Sequence, residues 1–236
     1  MSLILNIETA SEICSVALCK DNEIIAEKES AEPNVHSSKL TVFIEEIFQE
    51  ASINISSLDA VAVSKGPGSY TGLRIGVSAA KGICYGIGKP LIAVSTLQSL
   101  AGGFLQNIEN YFKLKKDEKF LLCPMLDARR MEVYTAMYDI FLNEIKPVTA
   151  SIINEDSYIK ELEKQKIIFF GNGSDKCSNF IRHENAVFIN GINAHASFMA
   201  PLSSKCFQIG TFEDVAYFEP YYLKDFITTI PGKKLF

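Results

Sequence analysis

The stretch "SKGPGSYTGLRIGVSAAKG", residues 64–82, joins a glycine-rich turn directly to a segment of helical composition. Such a turn can hold a phosphate group on exposed backbone N–H groups, or it can let a helix pack unusually close to a neighbour. The known phosphate-loop motifs do not fit. A Walker A loop needs Gly-Lys-Ser/Thr, but Gly72 is followed by Leu73 and Arg74. The dinucleotide fingerprint needs a third glycine where Thr71 stands.

The helical segment after the turn carries small residues at helical spacing. They form two stripes: Gly72, Gly76, Ala80 and Cys84 in the first, and Ser78, Gly82 and Gly86 in the second. A glycine inside a helix costs about 0.8–1 kcal/mol relative to alanine, so four in one helix indicate a compensating close contact. One stripe can face the sheet of its own domain while the other meets a partner helix. Packing inside the domain alone, and an anion at the helix N-terminus, are the alternatives.

Length and composition describe one large or two small globular domains. The chain has 236 residues, 47% of them hydrophobic, which is enough to bury a full core. The net charge of −5 argues against nucleic-acid binding by this chain alone, and the short basic clusters at 113–116 and 232–234 are typical of solvated surface. The sequence contains neither a secretory signal pattern nor eighteen consecutive apolar residues, so we expect a cytoplasmic protein without a membrane span.

Cysteine and histidine spacing gives no indication of a metal site. The six cysteines are scattered and include no C-x-x-C pair, as is typical of reduced core thiols in the cytosol. The three histidines, His36, His183 and His195, are far apart in the sequence. No H-E-x-x-H motif and no nucleophile elbow are present. We therefore predict no metal and no catalytic residue.

The hydrophobic pattern of the first half predicts an α/β domain. Strands are predicted at 3–9, 13–19, 23–30, 59–64 and 90–95, and helices at 36–51, at 71–86 and directly after residue 95. Three strands joined by short turns and followed by alternating helices and strands indicate a mixed sheet covered by helices. This order is also typical of half of an actin-like, ribonuclease-H-like (ASKHA) fold.

A polar and charged stretch at 106–119 separates this half from a second half in which the order of elements partly recurs. Strands are predicted at 120–128, 131–139, 146–152, 166–171 and 185–189, with helical stretches at 154–164, from the turn 171–175 to about 182, and at 196–209. We therefore predict a duplicated two-domain architecture with mixed sheets flanked by helices. Its parts are a first domain at 1–105, a second domain at 106–220 and a tail at 221–236 that docks on the body.

Five segments, spread in order over essentially the whole chain, resemble one protein family. They are ILNIETASEICSVAL, VAVSKGPGSYTGLRIGVSAAKG, KPLIAVSTLQSLA, LDARRMEVYTAMY and PYYLKD. All five are similar to the bacterial TsaB (YeaZ) family, an actin-fold relative of TsaD, which was formerly called glycoprotease. The GPGSYTGLRIG segment is the most specific of the matches.

The resemblance implies a role in forming threonylcarbamoyladenosine in tRNA, in which TsaD is the transferase and TsaB its required, non-catalytic partner. TsaE, an ATPase, joins the assembly, and contact of this chain with tRNA is expected to be indirect. The resemblance also implies pairing through the helices of the first domain, as a homodimer or as a heterodimer with TsaD. The interface residues expected on those helices are Gly72, Arg74, Ile75, Gly76, Ala79, Ala80, Ile83, Leu40, Phe43 and Ile47.

The chain lacks the metal ligands of TsaD-like enzymes. Those enzymes hold a metal with an H-x-x-x-H pair, and the corresponding positions here are Thr96 and Leu100. Leucine cannot ligate a metal, and a lone threonine is a poor ligand. The resemblance therefore implies a protein that supports catalysis without performing it.

Two alternatives are an actin-superfamily small-molecule kinase or ATPase and a glycoprotease-type metallopeptidase. The first needs tight ATP–Mg²⁺ binding, but Glu8 stands where relatives have aspartate, and Mg²⁺ demands near-ideal octahedral geometry. The second needs a bound metal. We predict no cofactor; weak ATP or ADP binding at the subunit boundary is the remaining alternative, with Glu8, Thr9, Gly66, Gly68 and Ser69 as candidate nucleotide-proximal residues. Asp127, Arg129 and Arg130 form a charged hairpin turn, which we interpret as a structural ion pair.

Overall fold

The computed structural model describes residues 2–111 and 119–224, and the first of its two five-stranded sheets lies near the N-terminus. The elements of this part are β1 (Leu3–Glu8), β2 (Cys14–Lys20), β3 (Glu23–Ser30), α1 (His36–Ala51), β4 (Ala60–Gly66), α2 (Tyr70–Ile87) and β5 (Leu91–Ser95). The strand order is β3-β2-β1-β4-β5, with β1, β2 and β3 antiparallel and β1, β4 and β5 parallel. The mixed sheet predicted for the first half is confirmed.

The second sheet repeats this topology. Its part of the chain contains α3 (Thr96–Gln106), α4 (Ile108–Tyr111), β6 (Phe120–Asp127), β7 (Glu132–Tyr138), β8 (Glu144–Ile152), α5 (Ile159–Leu162), β9 (Lys166–Phe170), β10 (Ala186–Ile189) and α6 (Ala200–Gln208). The order β8-β7-β6-β9-β10 matches β3-β2-β1-β4-β5 strand for strand. The duplicated architecture is therefore confirmed at the level of strand order, although the sequence shows no repeat.

Two helical predictions in the second half are wrong in extent. The helix predicted at 154–164 is reduced to Ile159–Leu162, because the Asn154 side chain accepts a hydrogen bond from the Asp156 backbone N–H and another from the Ser157 hydroxyl. Such local side-chain bonds compete with helix formation. The helix predicted after residues 171–175 is reduced to a single 3₁₀ turn, Asp175–Cys177.

The first sheet is buried on both faces, and a late segment of the chain covers one of them. α1 and α2 cover the face that carries Leu5 and Val63. Met199 and α6 cover the opposite face, which carries Ile4 and Ala62. Residues of the predicted second domain therefore complete the core of the first sheet.

The converse holds for α3, which follows the first sheet in sequence but packs on the second. Leu100 and Phe104 of α3 are fully buried in the cluster that contains Phe170, and the Phe104 and Phe170 rings stack at 4.3 Å between centroids. The predicted boundary at 105/106 thus lies between the two sheets but does not separate the two cores. Each core uses a helix from the other half of the chain.

Residues 213–224 run along the first domain and reach the second. The Lys81 ammonium donates to the Ala216 and Phe218 carbonyl oxygens, each at 3.0 Å. The Tyr221 N–H donates to the Lys65 carbonyl oxygen at 2.7 Å. The start of the predicted tail therefore contacts the body, while residues 225–236, like the basic cluster at 113–116, lie outside the described residues. Of the helices within the described ranges, none has the length and apolar character needed to cross a membrane.

The exchange of helices depends on a close contact at Gly103 of α3. A Cβ atom at Gly103 would lie 2.0 Å from Cγ of Phe198, whereas one at the neighbouring Gly102 would lie 3.4 Å from the Leu142 side chain, an ordinary contact. We expect Gly103→Ala to lower the free energy of unfolding by about 1–3 kcal/mol through overpacking. Gly102→Ala, the matched control, is expected to raise it by up to about 1 kcal/mol. Urea denaturation of both variants measures this, and equal stability of the two would contradict the contact.

Candidate functional site

The glycine-rich turn lies directly on the residues that follow β1. A Cβ atom at Gly68 would lie 2.3 Å from the Ala10 carbonyl oxygen, and one at Gly72 would lie 2.1 Å from the Thr9 carbonyl oxygen. The Ser69 N–H donates to the Ala10 carbonyl oxygen at 2.7 Å. These glycines therefore serve a close approach of backbone to backbone within the chain.

A backbone N–H group at the start of α2 is hydrogen-bonded by a neighbouring side chain of the same turn. The Ser69 side chain accepts a hydrogen bond from the Gly72 N–H at 3.3 Å and thereby caps the helix. Gly66, at the end of β4, has a φ of 105°, and a Cβ atom there would lie 2.9 Å from the Tyr221 carbonyl oxygen. The turn is thus covered by Ala10 on one side and by Tyr221 on the other. The fold brings together the five candidate nucleotide-proximal residues: Glu8 and Thr9 are buried, Gly66 and Gly68 lie against other backbone atoms, and Ser69 is exposed.

Glu8 is a fully buried carboxyl group at the end of β1. Its Oε1 accepts a hydrogen bond from the Ala10 N–H at 2.7 Å. Burial raises the pKa of Glu8 from 4.5 to about 7, and hydrogen bonds from Ala10 and Ser64 oppose this only in part. Its Oε2 has no hydrogen-bond partner among the described residues. The side chain is enclosed and partly protonated at neutral pH, which differs from an ionised carboxylate that organises Mg²⁺ through water.

Leu100 and Thr96, at the positions of the TsaD-like histidine pair, are both fully buried. Thr96 is the first residue of α3, and Leu100 belongs to the core of the second sheet. Within residues 2–111 and 119–224, no three His, Cys, Asp or Glu side chains are grouped in a way that could hold a metal ion.

The first stripe of α2 faces the interior of the domain, where several of the interface residues expected from the sequence also lie. A Cβ atom at Gly76 would lie 2.2 Å from Oγ1 of Thr9, and Ala80 is fully buried against the first sheet. On α1, the apolar residues at helical spacing cover the same sheet. Six of the ten expected interface residues are therefore inside the domain: Gly72, Gly76, Ala80, Leu40, Phe43 and Ile47.

The second stripe of α2 is exposed. Ser78, Gly82 and Gly86 all face solvent, and a Cβ atom at either glycine would have no atom of the described residues within 4 Å. The expected interface residues that keep exposed surface lie beside this stripe, as does Tyr85, which is 87% exposed and which the sequence reasoning missed. We call the following set the outer face of α2: Arg74, Ile75, Ser78, Ala79, Gly82, Ile83, Tyr85 and Gly86. Tyr85 follows Ser78 by two helical turns, a spacing that could have indicated its position.

The charged hairpin between β6 and β7 differs from its interpretation as an ion pair within the turn. The Asp127 carboxylate pairs with Lys176, at 2.5 Å between Oδ1 and Nζ. Arg129 and Arg130 are exposed, and neither forms an ion pair with Asp127 or with any other described residue. Lys176 lies 49 positions from Asp127, and no local pattern indicates it.

Comparisons with known proteins agree with this architecture. A family model described as "TsaD: tRNA N6-adenosine threonylcarbamoyltransferase" matches residues 23–223. The "tRNA threonylcarbamoyladenosine biosynthesis protein TsaB" of Escherichia coli (strain K12) is 28% identical over 239 residues, covering 98% of this chain and 99% of that protein. The protein of the same description from Bacillus subtilis (strain 168) is 28% identical over 172 residues, covering 72% of this chain and 70% of that protein. The solved structure "YeaZ from Pseudomonas aeruginosa" has a TM-score of 0.81 and 22% identity, covering 94% of this chain and all of that one.

The repeated mixed sheets and the similarity to the solved YeaZ structure define an α/β protein of the actin-like two-domain class. A TsaD-type domain extends over most of the chain. The chain belongs to the TsaB (YeaZ) family.

The two stripes of α2 are expected to respond in opposite directions to the same substitution. Gly76→Ala places a methyl group against Thr9 and should lower the free energy of unfolding by about 1–3 kcal/mol. Gly82→Ala, on the open stripe, should raise it by up to about 1 kcal/mol because alanine is the better helix former. Chemical denaturation tests both, and a stabilising Gly76→Ala would refute the close approach of α2 to β1.

Glu8 is expected to make stability depend on pH. Because the folded-state pKa of about 7 is above the unfolded value, the stability that proton uptake provides is complete below pH 4.5 and is lost as the pH rises through 7. Glu8→Gln cannot ionise and does not show this loss. The free energy of unfolding of the variant minus that of the wild type should therefore be larger at alkaline than at acidic pH, by roughly 3 kcal/mol. Urea denaturation across this pH range is the measurement, with the exposed Glu23→Gln as control for the loss of one carboxylate. A pH-independent difference for Glu8→Gln would contradict the raised pKa.

Proposed function

We propose that the chain is a non-catalytic subunit of the machinery that forms threonylcarbamoyladenosine in tRNA, and that it works by binding a TsaD-type transferase. Membership in the TsaB (YeaZ) family supports a role in the biosynthesis of this modified nucleoside. The outer face of α2 is the observation that carries the proposed binding role.

Two exposed glycines on this face have no close contact with the described residues. Gly82 and Gly86 each cost about 0.8–1 kcal/mol relative to alanine, and no atom of residues 2–111 and 119–224 lies close enough to require a missing side chain. A helix of another polypeptide that packs closely on the stripe would explain why these two positions have no side chain. Tyr85 and Arg74 beside the stripe are residue types enriched at the energetic centres of protein interfaces. Together they support a surface for another polypeptide.

The buried state of Thr96, Leu100 and Glu8 supports the non-catalytic part of the proposal. None of the three is accessible to a substrate, and Leu100 could not ligate a metal in any position. We propose no cofactor for this chain; weak ATP or ADP binding at the subunit boundary is a secondary proposal. No specific feature of the described residues favours the kinase or the metallopeptidase alternative.

The assembly follows from the same surface. We propose that the chain forms a homodimer in isolation through the outer face of α2 and exchanges this contact for a TsaD-type partner, with TsaE joining the assembly. Most contacts with tRNA belong to the other subunits, because this chain has a net charge of −5. Its place of action is the cytoplasm, where tRNA is modified.

Gly82→Arg tests the binding role. The substitution places a long charged side chain on the outer face of α2, at a position where a Cβ atom has no neighbour within 4 Å in the described part of the chain. The fold should therefore be retained, while association weakens at least about ten-fold through lost close packing and a buried charge. Light scattering measures the homodimer, and co-purification with the TsaD-type partner measures the heterodimer. Gln208→Arg, on the exposed end of α6, is the matched control.

The functional readout is tRNA modification by the reconstituted assembly. Activity should require this chain and should fall with Gly82→Arg but not with Gln208→Arg. Unchanged association of Gly82→Arg with both partners would refute the interface, and full modification without the chain would refute the supporting role.

A further inference from the structure

The turn between β6 and β7 holds two consecutive arginines in the left-handed backbone conformation, which arginine rarely adopts. Arg129 and Arg130 have φ values of 71° and 51°, both in the left-handed region. The turn is closed by the Glu132 N–H, which donates to the Arg129 carbonyl oxygen at 3.1 Å. Among non-glycine residues, positive φ values are uncommon and are most often adopted by Asn and Asp, whereas glycine adopts them at no steric cost. The Arg-Arg sequence is therefore opposed by the local backbone.

No contact within the described part of the chain explains why arginine occupies these two positions. The Lys176 ammonium binds the Asp127 carboxylate at 2.5 Å and also donates to the Arg130 and Glu132 carbonyl oxygens at 2.7 Å. The Glu132 carboxylate pairs with Lys224. Both carboxylates of the hairpin are thus occupied by lysines, and the two exposed guanidinium groups have no ion pair among residues 2–111 and 119–224.

The chemistry of the tip favours phosphate groups over a protein surface. A guanidinium group binds phosphate or carboxylate with paired N–H donors. Protein interfaces usually also contain an apolar centre. Met131, the one large apolar residue of the turn, is half-buried and packs against the buried cluster that contains Phe169. Contacts with the nucleic-acid backbone need only charge and hydrogen-bond donors.

We propose that Arg129 and Arg130 form a contact site for backbone phosphates of RNA. This inference rests on the proposed function, which places the chain in an assembly that acts on tRNA. Since the whole chain has a net charge of −5, the hairpin supplies a few phosphate contacts to an RNA that is held mainly by other subunits. An unfavourable turn sequence is then retained for binding and not for folding.

The double variant Arg129→Asn/Arg130→Gly separates binding from folding, because it gives the turn the residues that its backbone favours. Its melting temperature should be equal to or above that of the wild type, whereas its affinity for RNA should fall about ten-fold at low salt. The dependence of log Kd on log salt concentration should decrease in slope by roughly 1 to 2, corresponding to two lost phosphate contacts. The control Lys20→Gln/Arg182→Gln removes the same charge from exposed positions elsewhere and should leave affinity and slope nearly unchanged.

The measurement is fluorescence anisotropy of a labelled, unmodified tRNA transcript titrated with the complex of this chain and its TsaD-type partner, at protein concentrations that keep the complex assembled, over a series of low KCl concentrations. The proposal is overturned if the wild type shows no salt-dependent binding, if the double variant binds like the wild type, or if the control loses as much affinity. Loss of TsaD-type partner binding by the double variant with tRNA binding intact would assign the arginines to a protein contact instead. Gly82→Arg should keep its tRNA affinity, so failure of the proposed subunit interface is distinguishable from failure of this site.

Discussion

The fold of the first domain depends on the close approach of α2 to the end of β1. Gly68, Gly72 and Gly76 place bare backbone against Thr9 and Ala10, at distances where a Cβ atom would overlap carbonyl and hydroxyl oxygens. This contact positions the start of α2 on the sheet and thereby decides which side of the helix is covered. Because packed interiors tolerate little added volume, the three positions constrain the whole helix.

The same approach closes the edge of the sheet where ligands usually bind. In open α/β sheets, ligands bind beyond the carboxyl ends of the parallel strands. Here that region holds Thr9, the turn after β4 and the buried Glu8, whose pKa is raised to about 7 because water is excluded from it. The available surface is instead the outer face of α2, where the remaining glycines of the helix lie. The close packing of α2 against Thr9 and Ala10 thus covers the end of β1 and leaves the opposite side of the helix exposed.

The two halves of the chain are tied together by exchanged helices and by the segment that follows α6. α3 packs on the second sheet and α6 on the first, so neither core is complete without the other half. The Tyr222 ring lies 4.7 Å from the Tyr70 ring at the start of α2. Lys224 pairs with Glu132, next to the turn between β6 and β7 that carries Arg129 and Arg130. The outer face of α2 and the turn between β6 and β7 are therefore connected through this segment.

The sequence by itself determined the order of the strands and the duplicated architecture, because hydrophobic periodicity and turn chemistry are local properties, and five of its segments indicated the family by resemblance. The helix predicted at 36–51 has those same bounds in the structure. Only the tertiary structure decided which stripe of α2 is covered, since both stripes contain glycine and Thr9 lies against Gly76 but not against Gly82. The pairing of Asp127 with Lys176 was decided in the same way. Contacts between residues far apart in the chain depend on how the sheets and helices pack, and local spacing carries no record of that packing.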